Sequence, residues 1–141
     1  MLLKLALPLL LMALCVVIHA SGVTLALRRL GHAANPGHRF WRSALFGVRI
    51  AAWMIVCHLI EIAVWATVYD WNRAMPDLQT ALYFSAVTYT TTGYGDVVLA
   101  PEWRLTGGVE ALTGILMCGW SAAFFFAIVS RIQQGMKDAR G

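Results

Sequence analysis

Residues 77–96 read Asp77-Leu-Gln-Thr-Ala-Leu-Tyr-Phe-Ser-Ala-Val-Thr-Tyr-Thr-Thr-Thr-Gly-Tyr-Gly-Asp96, and the rest of the chain is understood outward from them. Leu78 to Tyr89 suits a short helix: Pro76 precedes it, and the Asp77 carboxylate can accept from the free N–H groups of its first turn. The stretch from Asp77 to Thr92 is too short to cross a bilayer, which takes about 20 apolar residues. Thr91-Thr92-Gly93-Tyr94-Gly95-Asp96 completes it. Glycines two apart, alternating with larger residues, admit backbone angles closed to other residues and let successive carbonyls turn toward one axis. Non-helical backbone at membrane depth survives only where protein buries it or a water-filled path runs beside it. A helix that enters and an extended strand that leaves on the same side therefore make a re-entrant loop.

The composition predicts the membrane around that loop. The chain has 141 residues, 60% hydrophobic and 13% charged, with a mean hydropathy of +0.67. A soluble domain carries about 25% charged residues, and one of this size buries only about two-thirds of its surface. The apolar surplus must face lipid, which excludes a soluble enzyme and a nucleic-acid-binding domain. Three apolar runs are long enough to span: Leu5 to Leu27, Ala44 to Tyr69 and Leu105 to Ser130. The net charge of +4 and pI near 9.3 come mostly from basic residues beside these runs, which is a topology signal.

Arg28, Arg29, Arg39 and Arg42, with His32 and His38 and no acid, follow the first run; Arg131, Lys137 and Arg140 follow the third. The positive-inside bias puts both segments in the cytoplasm and the N-terminus outside. The linker carrying Asp70, Asp77, Asp96 and Glu102 then lies outside, with Tyr69, Trp71 and Trp103 at the outer interface and Phe40 and Trp41 at the inner one. The opening run could pass for a signal peptide cut near Ile18-His19-Ala20-Ser21. Against that, it continues to Leu27 and the paired arginines follow it, so a retained helix is expected.

Thr91-Thr92-Gly93-Tyr94-Gly95-Asp96, placed after a capped helix and between two spans, resembles the potassium-channel signature, usually Thr-Val-Gly-Tyr-Gly-Asp. The resemblance covers roughly residues 44–132 and is to the prokaryotic pore-domain family of two spans plus a re-entrant loop, here with an extra N-terminal span. It implies that potassium is bound by Thr91, through hydroxyl and carbonyl at the inner mouth, and by the carbonyls of Thr92, Gly93, Tyr94 and Gly95. Asp96 follows at the outer mouth. Such carbonyl rings replace the hydration shell of the ion, and with one strand per chain a closed ring takes four copies. Thr92 departs from the usual valine or isoleucine; that side chain points behind the filter in the family, so its carbonyl should still coordinate. Tyr83 falls where related channels place an aromatic that bonds the aspartate matching Asp96, implying a Tyr83–Asp96 brace. Gly114 resembles the hinge glycine of the inner helix. Val87 stands where some prokaryotic channels have a glutamate behind the filter.

In the third run Gly114, Cys118 and Ala122 recur every four residues, a small-sided stripe suited to lining a cavity. Gly119 and Ala123 form a neighbouring small pair that would allow close helix contact. Of Phe124, Phe125 and Phe126, at least one ring, with Phe126 as the candidate, should point inward and could gate by dewetting; lipid-facing or interhelical packing is the competing reading of each. Four polar residues lie inside the runs: His19, His58, Glu61 and Glu110. Ionisable groups in lipid are costly and need partners. His58 and Glu61, three apart, share a helical face. Either the four sense protons, or they bond between helices and anchor the first two spans or the pore helix. A metal centre at His58, Glu61 and His19 is the weaker reading, with at most three ligands and no substrate opening. Cys15, Cys57 and Cys118 sit in apolar runs without metal spacing and are expected as small buried hydrophobes.

The expected protein is an all-α membrane protein and not an enzyme: three transmembrane helices, a re-entrant pore helix and a filter, in a homotetramer. Residues 1–43 form an accessory helix and basic cytoplasmic loop, in which the charges topologically mark the inner side or touch anionic headgroups. Residues 44–132 form the pore module (outer helix 44–69, pore helix 77–90, filter 91–96, inner helix 105–132), and 133–141 a short cytoplasmic tail. No arginine repeat marks a voltage sensor, and the tail is too short for a ligand-binding domain, so control would act through the pore, lipids or a separate regulatory partner. The expected function is passive potassium conduction, with potassium as permeant ligand, no other cofactor and no nucleic-acid partner, in a membrane expected to be the prokaryotic inner one. The alternatives are a non-selective cation channel, made possible by Thr92, and a non-conducting scaffold that keeps the pore fold.

Overall fold

A computed structural model describes residues 2–30 and 40–138. Among them the regular elements are four helices: α1 (Leu2–Leu30), α2 (Phe40–Trp71), α3 (Leu78–Tyr89) and α4 (Arg104–Asp138). Stretches long and apolar enough to cross a membrane lie at Leu5–Arg29, Ala44–Trp71 and Arg104–Arg131. All three expected spans are therefore present, and α2 and α4 run past the apolar stretches at their ends. Arg39, His32, His38 and Arg140, and with them most of the basic loop, lie outside the described residues.

The short helix α3 starts where its cap predicts. Asp77 is extended (φ −158°, ψ 165°), and its carboxylate accepts from the Thr80 N–H at 2.8 Å and from the Thr80 hydroxyl at 3.0 Å. These bonds, the backbone one first, hold its carboxyl below the ordinary carboxylate range.

Packing divides the chain into a long-helix frame and a wedge. α1 packs on α2 and α4, while α3 is held between α2 and α4. One apolar cluster surrounds the wedge, including Trp65, Tyr69, Ala81, Phe84 and Met117. A second, with Val23, Ile50, Met54 and Phe124, joins α1, α2 and α4. The α1–α2 crossing is tight at Gly22: a β-carbon there would land on the Cys57 sulfur, and the Trp53 indole N–H donates to the Gly22 carbonyl at 2.9 Å. Small residues at such crossings let helix backbones approach in lipid, where packing and hydrogen bonds drive association.

Candidate functional site

The non-helical stretch after α3 has a backbone that alternates in hand. Thr91, Gly93 and Gly95 have positive φ (59°, 55° and 78°), whereas Thr92 and Tyr94 do not. Thr91 is one of two non-glycine residues with positive φ among those described, the other being Arg73. In a strand of constant hand successive carbonyls point to opposite sides; alternating the hand brings them to one side. The N–H groups show which side. Thr91 N–H bonds the Thr88 carbonyl at 2.9 Å, and Thr92 and Gly93 N–H both bond the Val87 carbonyl, at 2.9 and 3.2 Å. The peptides are trans, so each C=O points opposite to the N–H of its plane. The carbonyls of Thr90, Thr91 and Thr92 are therefore turned away from α3 and from the body of the chain.

Nothing among the described residues covers them. Thr91 through Asp96 are all exposed, and a β-carbon at Gly93 or Gly95 would meet no atom within 4 Å. The strand hangs on the C-terminal end of α3, where the helix dipole leaves a partial negative charge of about half an electron, favourable to a cation. The Thr92 hydroxyl is bonded to that of Thr90 at 2.9 Å, and the Thr90 hydroxyl donates back to Ala86 O at 2.7 Å. The residue that departs from the usual valine thus has its hydroxyl tied to the end of the pore helix.

At the far end of the strand the Tyr83 phenol donates to the Asp96 carboxylate at 2.6 Å. This bond holds Asp96 below the ordinary carboxylate range and raises Tyr83 above the ordinary phenol.

The face of α4 expected to line a cavity is split. Cys118, Ala122 and Phe126 follow one another at four-residue spacing and are all exposed, Phe126 by 73%. Gly114, at the head of the same stripe, is buried against Tyr89: a β-carbon there would run into the Tyr89 carbonyl. That contact by itself accounts for a glycine at this place. Phe124 is buried against α1 and α2, as the packing reading has it. Gly119 and Ala123 are exposed, and a β-carbon at Gly119 would meet no atom within 4 Å. Cys15 and Cys57 are buried as small hydrophobes, but Cys118 is exposed, which corrects that expectation; it shares its side of α4 with exposed Ala122 and Phe126.

The four polar residues of the spans fall into two clusters, both reaching α3. Glu110 is fully buried; it accepts from the Tyr69 phenol at 2.7 Å and from the Ser85 hydroxyl, which also lies 3.0 Å from the Ile62 carbonyl. Glu61, also fully buried, bonds His19 Nδ1 at 2.9 Å and accepts from the Tyr89 phenol. His58 lies 3.2 Å from the same phenol and 3.0 Å from the Ser121 hydroxyl, which is in turn 3.0 Å from His19 Nε2. His19, His58 and Glu61 bring one possible ligand atom each within 4.8 Å of one another, as the metal reading requires. Those atoms are engaged among themselves and with Tyr89 and Ser121. Sequence reasoning missed Tyr69, Ser85, Tyr89 and Ser121; tyrosines and serines in apolar helices were the available signal, since each brings a hydroxyl that needs a partner in lipid.

No curated protein and no solved structure matches the chain. A family model described as an ion channel matches residues 57–131, from the middle of α2 through α3 and the strand into α4, more than half of the sequence. With its three membrane-crossing helices, this integral membrane protein belongs to the ion channel family.

Proposed function

We propose that four copies of this chain form a passive channel selective for potassium. The observation that carries this reading is the strand at residues 91–95, with positive φ at alternate residues and N–H groups drawn back onto α3. Its carbonyls are left for something outside the chain, and exposed non-helical backbone at membrane depth needs either protein or a water-filled path beside it. Four strands around an axis supply both: each covers its neighbours, and Thr91, Thr92, Gly93, Tyr94 and Gly95 offer stacked oxygen rings that replace the water shell of the ion. Several such sites in series let one ion displace the next, so binding does not become trapping. Cys118, Ala122 and Phe126, exposed in one chain, would line the cavity below, with Phe126 at the inner mouth. The re-entrant loop and N-terminus are assigned to the outer side of a prokaryotic inner membrane, and α4 leads to the cytoplasm.

Reconstitution tests the reading at two levels. The detergent-extracted protein should be a tetramer; a monomer or dimer cannot close the filter. In liposomes with a potassium gradient we expect flux that excludes sodium and is blocked by barium. Equal sodium and potassium flux would mark a non-selective pore, and silence from an intact tetramer a scaffold. Gly93→Ala, strained at φ +55° whatever the space around it, should abolish flux while tetramers still form.

A further inference from the structure

We propose that His19, Glu61, Tyr89, His58 and Ser121 form a buried binding site for one exchangeable proton, whose occupancy sets how firmly the base of the filter is held. The site itself follows from the geometry; its effect on flux rests on the channel reading above.

The five side chains make a closed ring of hydrogen bonds through all four helices. His19 Nδ1 meets Glu61 Oε1 at 2.9 Å, and Glu61 Oε2 meets the Tyr89 phenol. The phenol meets His58 Nδ1 at 3.2 Å, His58 Nε2 meets the Ser121 hydroxyl at 3.0 Å, and that hydroxyl closes on His19 Nε2 at 3.0 Å. Every member takes part in two of the five bonds, and every bond needs one hydrogen. A protonated Glu61, two neutral imidazoles, a serine and a tyrosine bring five. So do an ionised Glu61 and one imidazolium. Wherever that proton sits, the complete ring is electrically neutral and each of its five bonds has one donor and one acceptor.

Removing one proton leaves four hydrogens for five bonds. One contact then sets lone pair against lone pair, and a net negative charge is left in the interior of the bundle. Both are costly away from water. Among the described residues, the further groups that feel the Glu61 charge are Cys15 of α1, Cys57 of α2 and Cys118 of α4, none of them a cation, and Cys15 also feels Glu110 of α4. On α3 the group is Tyr89 itself, which feels Glu61, Cys15 and Cys118. Proton loss and rupture of the ring are therefore one event. His58, 17% exposed where Glu61 and His19 are sealed, is the point of entry.

The ring ends on the filter's support. Tyr89 is the last residue of α3, and the strand's N–H groups hang from the carbonyls of Val87 and Thr88 just before it. Its phenol is the ring's only member on α3. His19 brings in α1, which lies outside the matched residues 57–131, so the extra helix acts on the pore as a positioning element. A protonated ring holds Tyr89 from α1, α2 and α4 together; an open ring loosens that hold, and flux falls as pH rises.

The test compares wild type with Glu61→Gln in liposomes, measuring potassium flux from about pH 5 to about pH 8, across neutrality. Glutamine donates to His19, accepts from Tyr89 and completes the five hydrogens with none to lose. Wild-type flux should fall several-fold over about two pH units, the width of a one-proton transition, whereas Glu61→Gln should stay flat at the wild-type acid level. Asp96, already held below 3.8, titrates outside this range. Infrared difference spectra across the same pH step should show carboxyl or imidazole bands in wild type that vanish in Glu61→Gln. A flat wild-type profile, a transition kept in Glu61→Gln, or absent bands overturns the proposal. Bands without flux in either protein overturn the channel reading and leave the proton site standing.

Discussion

Gly114 of α4 stands so close to the main chain of Tyr89 that a β-carbon there would lie 2.7 Å from the Tyr89 carbonyl carbon. The same tyrosine is bonded through its phenol to Glu61 and His58. The last residue of the pore helix is thus held at both ends, by a backbone contact to α4 and by polar bonds to α2.

The backbone contact leads to a sharp contrast between two glycines. Gly114→Ala drives a methyl into an immovable carbonyl and should cost about 1–3 kcal/mol through forced backbone shifts. Gly119→Ala, with nothing within 4 Å in the chain, should cost far less. Thermal midpoints in detergent compare the two. A Gly114→Ala protein as stable as wild type but altered in opening would favour a hinge over the close contact.

Tyr83→Phe removes the bond that the Tyr83 hydroxyl donates to Asp96. That bond lowers the Asp96 pKa from 3.8, so its contribution is present above 3.8 and disappears as pH falls through the lowered value. Without it Asp96 titrates nearer 3.8, and any decline of flux in acid should set in at a higher pH than in wild type. Coincident acid limbs in the two flux profiles would separate Asp96 from the Tyr83 brace.

Ser85→Ala removes the one hydroxyl hydrogen that lies between a Glu110 oxygen and the Ile62 carbonyl, and leaves the buried carboxyl short of a partner. Hydrogen bonds between membrane helices contribute about 0.6–1.7 kcal/mol, so a loss near 1 kcal/mol is expected in chemical unfolding from micelles. In the proposed tetramer α3 carries the strand through which the copies would meet, so tetramer yield should drop with it.

Thr92→Val restores the residue usual at this position and removes the bond to the Thr90 hydroxyl. Ion binding by the main-chain carbonyl should be untouched, leaving the potassium-to-sodium flux ratio unchanged. A ratio that rises on substitution would show that the hydroxyl itself weakens selectivity.

Much of the architecture was legible because its causes are local. Asp77 caps α3 through atoms three residues away, and the glycines at 93 and 95 adopt angles that only their own lack of a side chain makes easy. The partners of the buried polar groups were less legible. His19 lies 42 residues from Glu61 and 102 from Ser121 in sequence, and nothing in the composition of α1 or α4 announces that they meet. The stripe at 114, 118 and 122 shows the same limit: spacing groups the three on one face, but Tyr89 covers only the first.

By itself the sequence determined that three helices are long and apolar enough to cross a membrane, that a short capped helix stands between the second and third, and that a non-helical stretch with two permissive glycines follows it. Each of these depends on apolar length, a neighbouring cap or a missing side chain. The tertiary structure decided which way the polar side chains of those helices face. Rotation and crossing of helices are set where backbones come into contact, at Gly22 against Cys57 and at Gly114 against Tyr89. A turn of a few tens of degrees about either axis would leave Glu61 in lipid rather than in a ring of five.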